Sequence, residues 1–246
     1  MTAALLGLVV LFMSMFPSIS KEIDEFKKLL EGFPEGVREA LGIQIESIGS
    51  LNGFYSYIFL YISLCGAIQA MNLGISICSK EAREKTSDFL LTKPVTRTKI
   101  LTSKLLAATI SLLITNAVFV IGAVGVATLV KVESFSLNVF LLISLSLLFT
   151  QLIMFTIGIL IAVIFQKLKS VISVSLGVVF AFFFIGMVAA KEEASRYFTP
   201  FKYFDYSYMM KHESYEWPFL ITGAIVIVSS LAASFIIYNK RDIQSV

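Results

Sequence analysis

Very few side chains in this 246-residue chain have the type and spacing that acid–base, nucleophilic or metal chemistry requires. His212 is the only histidine, and no cysteine or second histidine lies near it in the sequence, whereas a metal site needs several ligands. Cys65 and Cys78 stand in one apolar stretch, about 20 Å apart along a helix, which is too far for a disulfide. We therefore assign no catalytic, cofactor-binding or metal-ligating residue to this chain.

The longest apolar stretches carry polar side chains, but none that is charged. Their four candidate functional residues are amides, at Gln69, Asn72, Asn116 and Gln151. Such amides commonly join neighbouring helices, at roughly 0.6 kcal/mol per hydrogen bond in a membrane. The alternative interpretation is that they line a polar route between the helices. The absence of Asp, Glu, Lys, Arg and His from these stretches argues against a proton-coupled carrier or an intramembrane acid protease.

The charged stretch 79–104 has the most informative pattern. Glu81 precedes Lys85 by four residues, the order that stabilises a helix, and Pro94 ends the helical pattern. The apolar patch 89–91 interrupts the charges, and exposed apolar patches often mark a partner site. The alternative is that this patch dips into a membrane interface.

The overall composition places these groups in an all-α membrane protein. Hydrophobic residues make up 57% and charged residues 15% of the chain, whereas a soluble domain carries about 25% charged residues. This composition excludes a soluble enzyme, a nucleic-acid binder and a disordered chain as default interpretations. Because a spanning helix needs about 20 apolar residues, we predict one transmembrane domain over 1–246. Its six spans are predicted at about 1–20, 54–78, 105–130, 136–165, 170–190 and 217–239.

The charges of the connecting loops predict the orientation. One set of loops, at 79–104, 167–169 and 240–246, has eleven basic and four acidic residues. The other set, at 21–53, 131–133 and 191–216, has nine basic and thirteen acidic residues. Since basic loops stay in the cytoplasm, the first set is predicted to be cytoplasmic, together with both termini.

The first apolar stretch is the shortest, because Pro17 limits its compact core to roughly 21 Å of helix. We expect either a helix tilted into thin lipid or a chain that starts later than related chains. A cleaved signal peptide is the other interpretation. It is disfavoured because no Lys or Arg precedes Lys21 and no small-residue cleavage site is present.

Both large outer loops have patterns of their own. In 21–53, apolar residues recur at helical spacing on both sides of Pro34, which predicts two short amphipathic extracellular helices on the membrane surface or capping the bundle. The loop 191–216 is rich in tyrosine and phenylalanine. It is predicted to form an interfacial aromatic belt or, alternatively, a partly re-entrant segment.

The stretch 79–104 resembles the permease subunits of type-2 ABC exporters. Their usual pattern is a short acidic helix, a threonine, a leucine pair, a Pro-Val-Ser/Thr-Arg turn, and a lysine that opens the third span. The matching residues are Glu81, Glu84, Thr86, Leu90, Leu91, Pro94, Val95, Thr96, Arg97 and Lys104. The six-span layout and the Pro-aromatic stretch 197–205 also match, so the resemblance covers nearly the whole chain. The usual interfacial helix before the first span is missing, since only Met1 and Thr2 precede it.

The resemblance implies a subunit of an ATP-driven exporter that moves a substrate such as a drug, an antimicrobial peptide or a lipid outward. In the family, the loop between spans two and three docks on a separate ATPase subunit as a coupling helix, which we expect here at 81–91. The residues expected to contact the ATPase are Glu81, Glu84, Thr86, Asp88, Phe89, Leu90, Leu91, Pro94 and Arg97.

The resemblance also implies the partners and the location. ATP and Mg would be bound by the ATPase, and a second permease copy or a homologous permease would complete the transporter in a bacterial cytoplasmic membrane. The sequence agrees, because it contains no G-x-x-x-x-G-K-[ST] phosphate loop and its cytoplasmic loops are too short for a nucleotide-binding domain. The alternatives are a stand-alone carrier or channel, and a membrane accessory or sensor protein.

Overall fold

The computed structural model describes residues 2–84, 96–132, 134–165, 168–188 and 193–240. These residues form ten α-helices and two 3₁₀ turns, the turns at Glu193–Phe198 and Pro200–Lys202. The helices are α1 (Thr2–Met13), α2 (Phe16–Lys21), α3 (Ile23–Glu31), α4 (Glu35–Ala40), α5 (Leu51–Glu84), α6 (Arg97–Val130), α7 (Leu137–Ile164), α8 (Val171–Val188), α9 (Tyr206–His212) and α10 (Trp217–Lys240).

Six segments of the described chain are long and apolar enough to cross a membrane, which confirms the predicted all-α fold with six spans. They are the α1–α2 pair, α5, α6, α7, α8 and α10. We call the end of the bundle at which α5, α7 and α10 begin the outer end, following the orientation that the loop charges predict, and the opposite end the inner end.

The helices α5 and α6 are longer than the apolar stretches that predicted them. Each has 34 residues, or about 51 Å, against about 30 Å for the hydrocarbon layer. The start of α6 is set by Thr96, whose side chain accepts a hydrogen bond from the Lys99 backbone N–H. Both helices therefore continue through polar sequence at the inner end, on either side of residues 85–95.

The centre of the bundle is the parallel pair α5 and α7. At the outer end the Asn52 side chain donates a hydrogen bond to the Ser136 carbonyl, 3.1 Å away. Further inward, a Cβ on Gly158 would lie 2.7 Å from the Met71 carbonyl oxygen, and one on Gly74 would overlap the Phe155 carbonyl. Because only glycine fits at these positions, the two helix backbones approach closely.

The remaining spans surround this pair. The helix α1 runs beside the C-terminal half of α6. The hydroxyl oxygens of Thr2 and Thr115 lie 3.4 Å apart, and the Leu6 side chain packs against Gly122. Two turn residues separate α1 from α2, and Pro17 stands in the first turn of α2. The first candidate span is therefore two short helices rather than one.

The segment 22–50, which we call the outer hairpin, contains the two predicted amphipathic helices as α3 and α4. Its apolar residues pack on the bundle: Leu30, Ile43 and Ile48 are buried in the core of the outer end. The outer hairpin thus caps the bundle, which was one of the two predicted placements.

The segment 193–216, which we call the outer cap, folds into the bundle. Thr199 is 0% exposed, and its hydroxyl donates a hydrogen bond to the carbonyl of Phe182, six residues or about 9 Å before the end of α8. Phe201, Tyr203 and Phe204 are buried as well. These placements favour the re-entrant interpretation, whereas Tyr197, Phe198 and Trp217 remain exposed as an interfacial belt requires.

Candidate functional site

Two of the four predicted amides bind each other in the middle of the bundle. The Asn116 side chain on α6 donates to Gln151 Oε1 on α7 at 2.5 Å and to the Leu112 carbonyl at 2.9 Å. Gln151 in turn donates through Nε2 to the Gly66 carbonyl on α5 at 3.4 Å. Because Asn116 is 4% and Gln151 0% exposed, this network joins three helices in a site from which solvent is excluded.

The other two amides, Gln69 and Asn72, lie on α5 and are half-buried. Gln69 follows Gly66 by less than one turn, so it lies at the same depth as the Asn116–Gln151 network. Within the described residues, Gln69 Oε1 and Asn116 Oδ1 are buried acceptors that receive no hydrogen bond. An unsatisfied acceptor in an apolar setting favours a donor from water or from a bound molecule.

The inner ends of α5 and α6 are tied together by one lysine. Lys104 Nζ donates a hydrogen bond to the carbonyl of Ile77 at 2.9 Å. Lys104 stands seven residues after the start of α6 and Ile77 seven residues before the end of α5, so the tie lies about 10 Å from both helix ends. Thr98 donates to the Asn239 side chain at 3.2 Å and connects α6 to α10.

Most of the predicted ATPase-contact residues lie outside the described residues, namely Thr86, Asp88, Phe89, Leu90, Leu91 and Pro94. Glu81 and Glu84 belong to the last turns of α5, and Arg97 is the first residue of α6. The coupling helix itself stays a prediction, placed between the two longest helices of the described chain.

The underside of the outer cap packs on aromatic and hydroxyl side chains of α5 and α7. Tyr206 meets Phe59 edge to face, with ring centroids 5.7 Å apart, and its hydroxyl lies close to the Ser146 side chain. Phe59 stands eight residues, or about 12 Å, from the start of α5. Tyr215 donates to the Leu142 carbonyl at 2.7 Å. Burial raises the pKa of both tyrosines, so both rings are neutral at physiological pH.

An ion pair joins the two ends of the outer cap. Arg196 Nη2 lies 2.6 Å from Glu216 Oε1, and Nη1 lies 3.2 Å from Oε2. The guanidinium carbon stands 4.0 Å above the centre of the Phe219 ring. Reasoning from the sequence missed this pair, although one signal was present: opposite charges at 196 and 216 bracket the aromatic run.

Across the described ranges, the fold is a helical bundle with six apolar spans, uncharged polar groups between them and no cluster of three or more metal-ligating side chains. These properties define a multi-pass membrane protein. The family model described as ABC-2 family transporter protein matches residues 2–243, and the chain therefore belongs to the ABC-2 transporter family. The sequence resemblance is thereby confirmed.

Members of this family are membrane-spanning transport subunits that are not catalytic themselves, and they normally work with ATPase subunits. Searches of curated proteins and of solved structures gave no significant match.

Proposed function

We propose that this chain is the permease subunit of an ATP-driven exporter, in which a separate ATPase subunit binds and hydrolyses ATP with Mg. The family match over residues 2–243 is the observation that carries the proposal. ATP hydrolysis would drive the outward movement of a substrate such as a drug, an antimicrobial peptide or a lipid. The working unit would contain two permeases, this chain with a second copy or with a homologous permease, in a bacterial cytoplasmic membrane with both termini inside.

Coupling to the ATPase would occur at the inner end, through residues 81–97. The lengths of α5 and α6 support this placement, because each exceeds the hydrocarbon layer by about 20 Å. The apolar side chains Phe89, Leu90 and Leu91 would bury themselves in the ATPase surface. The charged residues around them would set register and specificity. The Lys104–Ile77 hydrogen bond would make the two helices move together.

The substrate route would pass beside α5, at the depth of Gln69 and Asn72. Both side chains are half-buried, and among the described residues Gln69 Oε1 is a buried acceptor that receives no hydrogen bond. Asn116 and Gln151 are less suited to contact a substrate, because they are 4% and 0% exposed and their side-chain N–H groups already donate to Gln151, Leu112 and Gly66. We therefore assign substrate contact to Gln69 and Asn72 and the joining of helices to the other two amides.

The test is reconstitution of the purified chain in liposomes, with and without an ATPase subunit that co-purifies with it. We expect substrate efflux to require the ATPase and ATP together. An ATPase variant lacking its catalytic carboxylate serves as the control, since it still binds but does not hydrolyse ATP. Substrate flux through the chain alone would instead identify a stand-alone carrier or channel. Neither an ATPase partner nor any flux would indicate an accessory or sensor protein.

A further inference from the structure

The two ends of the outer cap are held together by Arg196 and Glu216, and we call this point of the cap the neck. Arg196 and Glu216 are twenty positions apart in the sequence, and their side chains form a two-point ion pair. Residues 197–215 are therefore a loop whose two ends are held side by side. If the loop moves away from the bundle, its two ends therefore have to move at this neck.

The ion pair is well supported by its surroundings. Arg196 also donates through Nε to the Lys202 carbonyl at 3.3 Å, and its guanidinium stacks on Phe219. The two charged side chains are 18% and 16% exposed. A partly buried, bidentate pair is among the stronger hydrogen-bonded pairs, and removing one partner leaves the other charge uncompensated.

Below the neck, the outer cap is held together by its own contacts. The Tyr203 hydroxyl donates to the Tyr197 carbonyl at 3.0 Å, and Asp205 caps α9 by accepting from the backbone N–H of Ser207 at 2.8 Å. The rings of Phe204 and Tyr215, from the two halves of the loop, meet edge to face at 5.7 Å. These internal bonds make the outer cap one body rather than a flexible strand.

This body sits on α5 and α7 below Tyr206 and on α8, where Thr199 bonds the Phe182 carbonyl and the Phe201 ring meets Phe183. Beneath Tyr206 lie Phe59, which is 0% exposed, and Ser146, which is 1% exposed. These described contacts beneath Tyr206 are made by aromatic rings and a neutral hydroxyl rather than by an ion pair. The strong and specific electrostatic contact is at the neck.

We propose that the Arg196–Glu216 ion pair is the latch of an outer gate. When the pair is formed, it keeps the outer cap seated on α5 and α7, and when the pair is broken, the cap lifts as one piece and exposes the helix surface around Ser146. This assignment rests on the proposed function, in which a substrate has to leave the bundle at its outer end.

The experiment measures how fast a maleimide reagent labels a thiol introduced under the cap. The reporter is Ser146→Cys in a chain that also carries Cys65→Ala and Cys78→Ala, purified in nanodiscs without ATP or ATPase. We expect Glu216→Gln and Arg196→Gln each to raise the labelling rate about tenfold, because each leaves a partly buried charge unpaired. The double variant should label no faster than either single variant, since the two residues act as one pair.

The matched control is Glu213→Gln, three positions from Glu216. The exposed Glu213 carboxylate accepts a hydrogen bond from Ser136 at the start of α7, and a glutamine side chain keeps that acceptor while removing the charge. This variant should leave the labelling rate unchanged. Arg196→Lys should give an intermediate rate, since lysine keeps the charge but lacks the planar fork. Size-exclusion profiles identify folded samples, and only these are compared. Equal labelling rates for folded Glu216→Gln and Glu213→Gln samples would overturn the latch.

The labelling result is independent of the proposed function, because it needs no ATPase. Faster labelling in a chain that never shows ATP-driven efflux would leave the latch in place and remove the exporter proposal. If the variants label at an unchanged rate and the unmodified chain exports substrate with ATP, the exporter proposal stands and the latch is wrong.

Discussion

The two ends of this molecule are built in different ways. At the outer end, the outer hairpin and the outer cap fold back over the bundle and bury side chains such as Ile48 and Phe201. The two ends of the outer cap are also joined by the Arg196–Glu216 ion pair. At the inner end, α5 and α6 continue past the apolar stretches as long helices, and among the described residues the Lys104–Ile77 hydrogen bond joins them. The outer end is therefore covered by folded loops, whereas the inner end consists of two helices that extend beyond the apolar spans.

Under the proposed function, this difference predicts that ATP hydrolysis acts on the inner end and that the resulting movement opens the outer end. Tightly packed contacts tend to have discrete arrangements rather than deform gradually, so a packed cap suits a gate with a closed and an open state. Long helices transmit a displacement from one end to the other without many contacts of their own. Under the proposed function, force enters between α5 and α6 and is spent on moving the outer cap.

The largest effect is expected from charges at the predicted coupling helix. Replacing Phe89, Leu90 and Leu91 by Asp should abolish stimulation of the ATPase by this chain, because three apolar contacts would be replaced by three charges. The measurement is the ATP hydrolysis rate of the ATPase with and without the reconstituted chain.

The control for this change applies the same chemistry to the other end of the molecule. Leu29, Phe33 and Val37 are exposed on the outer hairpin, and their replacement by Asp should leave ATPase stimulation intact. Equal losses from both triple variants would show that the two ends are not divided as described.

The next effect is on folding, at the contact between α5 and α7 that joins both ends. Gly74→Ala should destabilise the protein by about 1–3 kcal/mol, because its Cβ would overlap the Phe155 carbonyl. Gly177→Ala on α8 is the control, since a Cβ there meets nothing within 4 Å, and alanine usually stabilises an exposed helical position. Thermal unfolding in detergent measures both, and equal midpoints would contradict the close approach of α5 and α7.

A smaller effect separates the amides that join helices from those assigned to the route. Gln151→Leu should lower stability by about 1 kcal/mol, since two interhelical hydrogen bonds are lost, while transport per folded molecule stays unchanged. Gln69→Leu should lower transport without lowering the unfolding temperature. The assignment of roles is wrong if the two variants show the reverse pattern.

The smallest effect concerns pH at the outer cap. Burial raises the pKa of Tyr203, Tyr206 and Tyr215, so their neutral forms stabilise the folded state below the unfolded-state pKa of about 10. That stability should be constant from pH 6 to 9 and should fall as the pH rises above about 10. The double variant Tyr206→Phe with Tyr215→Phe should lose less stability over the alkaline range, as measured by unfolding temperature. An identical alkaline loss in both proteins would contradict this account.

The fold could be predicted from the sequence wherever hydrophobicity alone decides it. The uncharged stretches became helices with nearly the predicted bounds, as for 217–239 and Trp217–Lys240. Hydrophobicity alone did not predict the helix ends that lie in polar sequence. The apolar stretch placed the start of the third span at 105, whereas α6 begins at Arg97 because Thr96 caps it there. The depth of the outer cap was left open, because an aromatic-rich loop has the same composition whether it lies on the surface or inside.

The candidate site was predictable only as an inventory of residues. The four amides were recognisable as the polar groups of the spans, but the pairing of Asn116 with Gln151 depends on how two helices pack. Arg196 and Glu216 flank the aromatic run as opposite charges in the sequence, but only the folding of the outer cap brings them together. Sequence patterns report local preference, whereas these contacts depend on tertiary structure.

Under the proposed function, the force from the ATPase subunit enters this chain between α5 and α6. The most direct measurement places a photo-crosslinking amino acid at position 89 of the chain, in a purified complex shown to export substrate with ATP. We predict a covalent adduct with the ATPase subunit, and no such adduct from the same group at Leu29 on the outer hairpin. An actively exporting complex that yields no adduct from position 89 or from its neighbours at 90 and 91 would contradict the account.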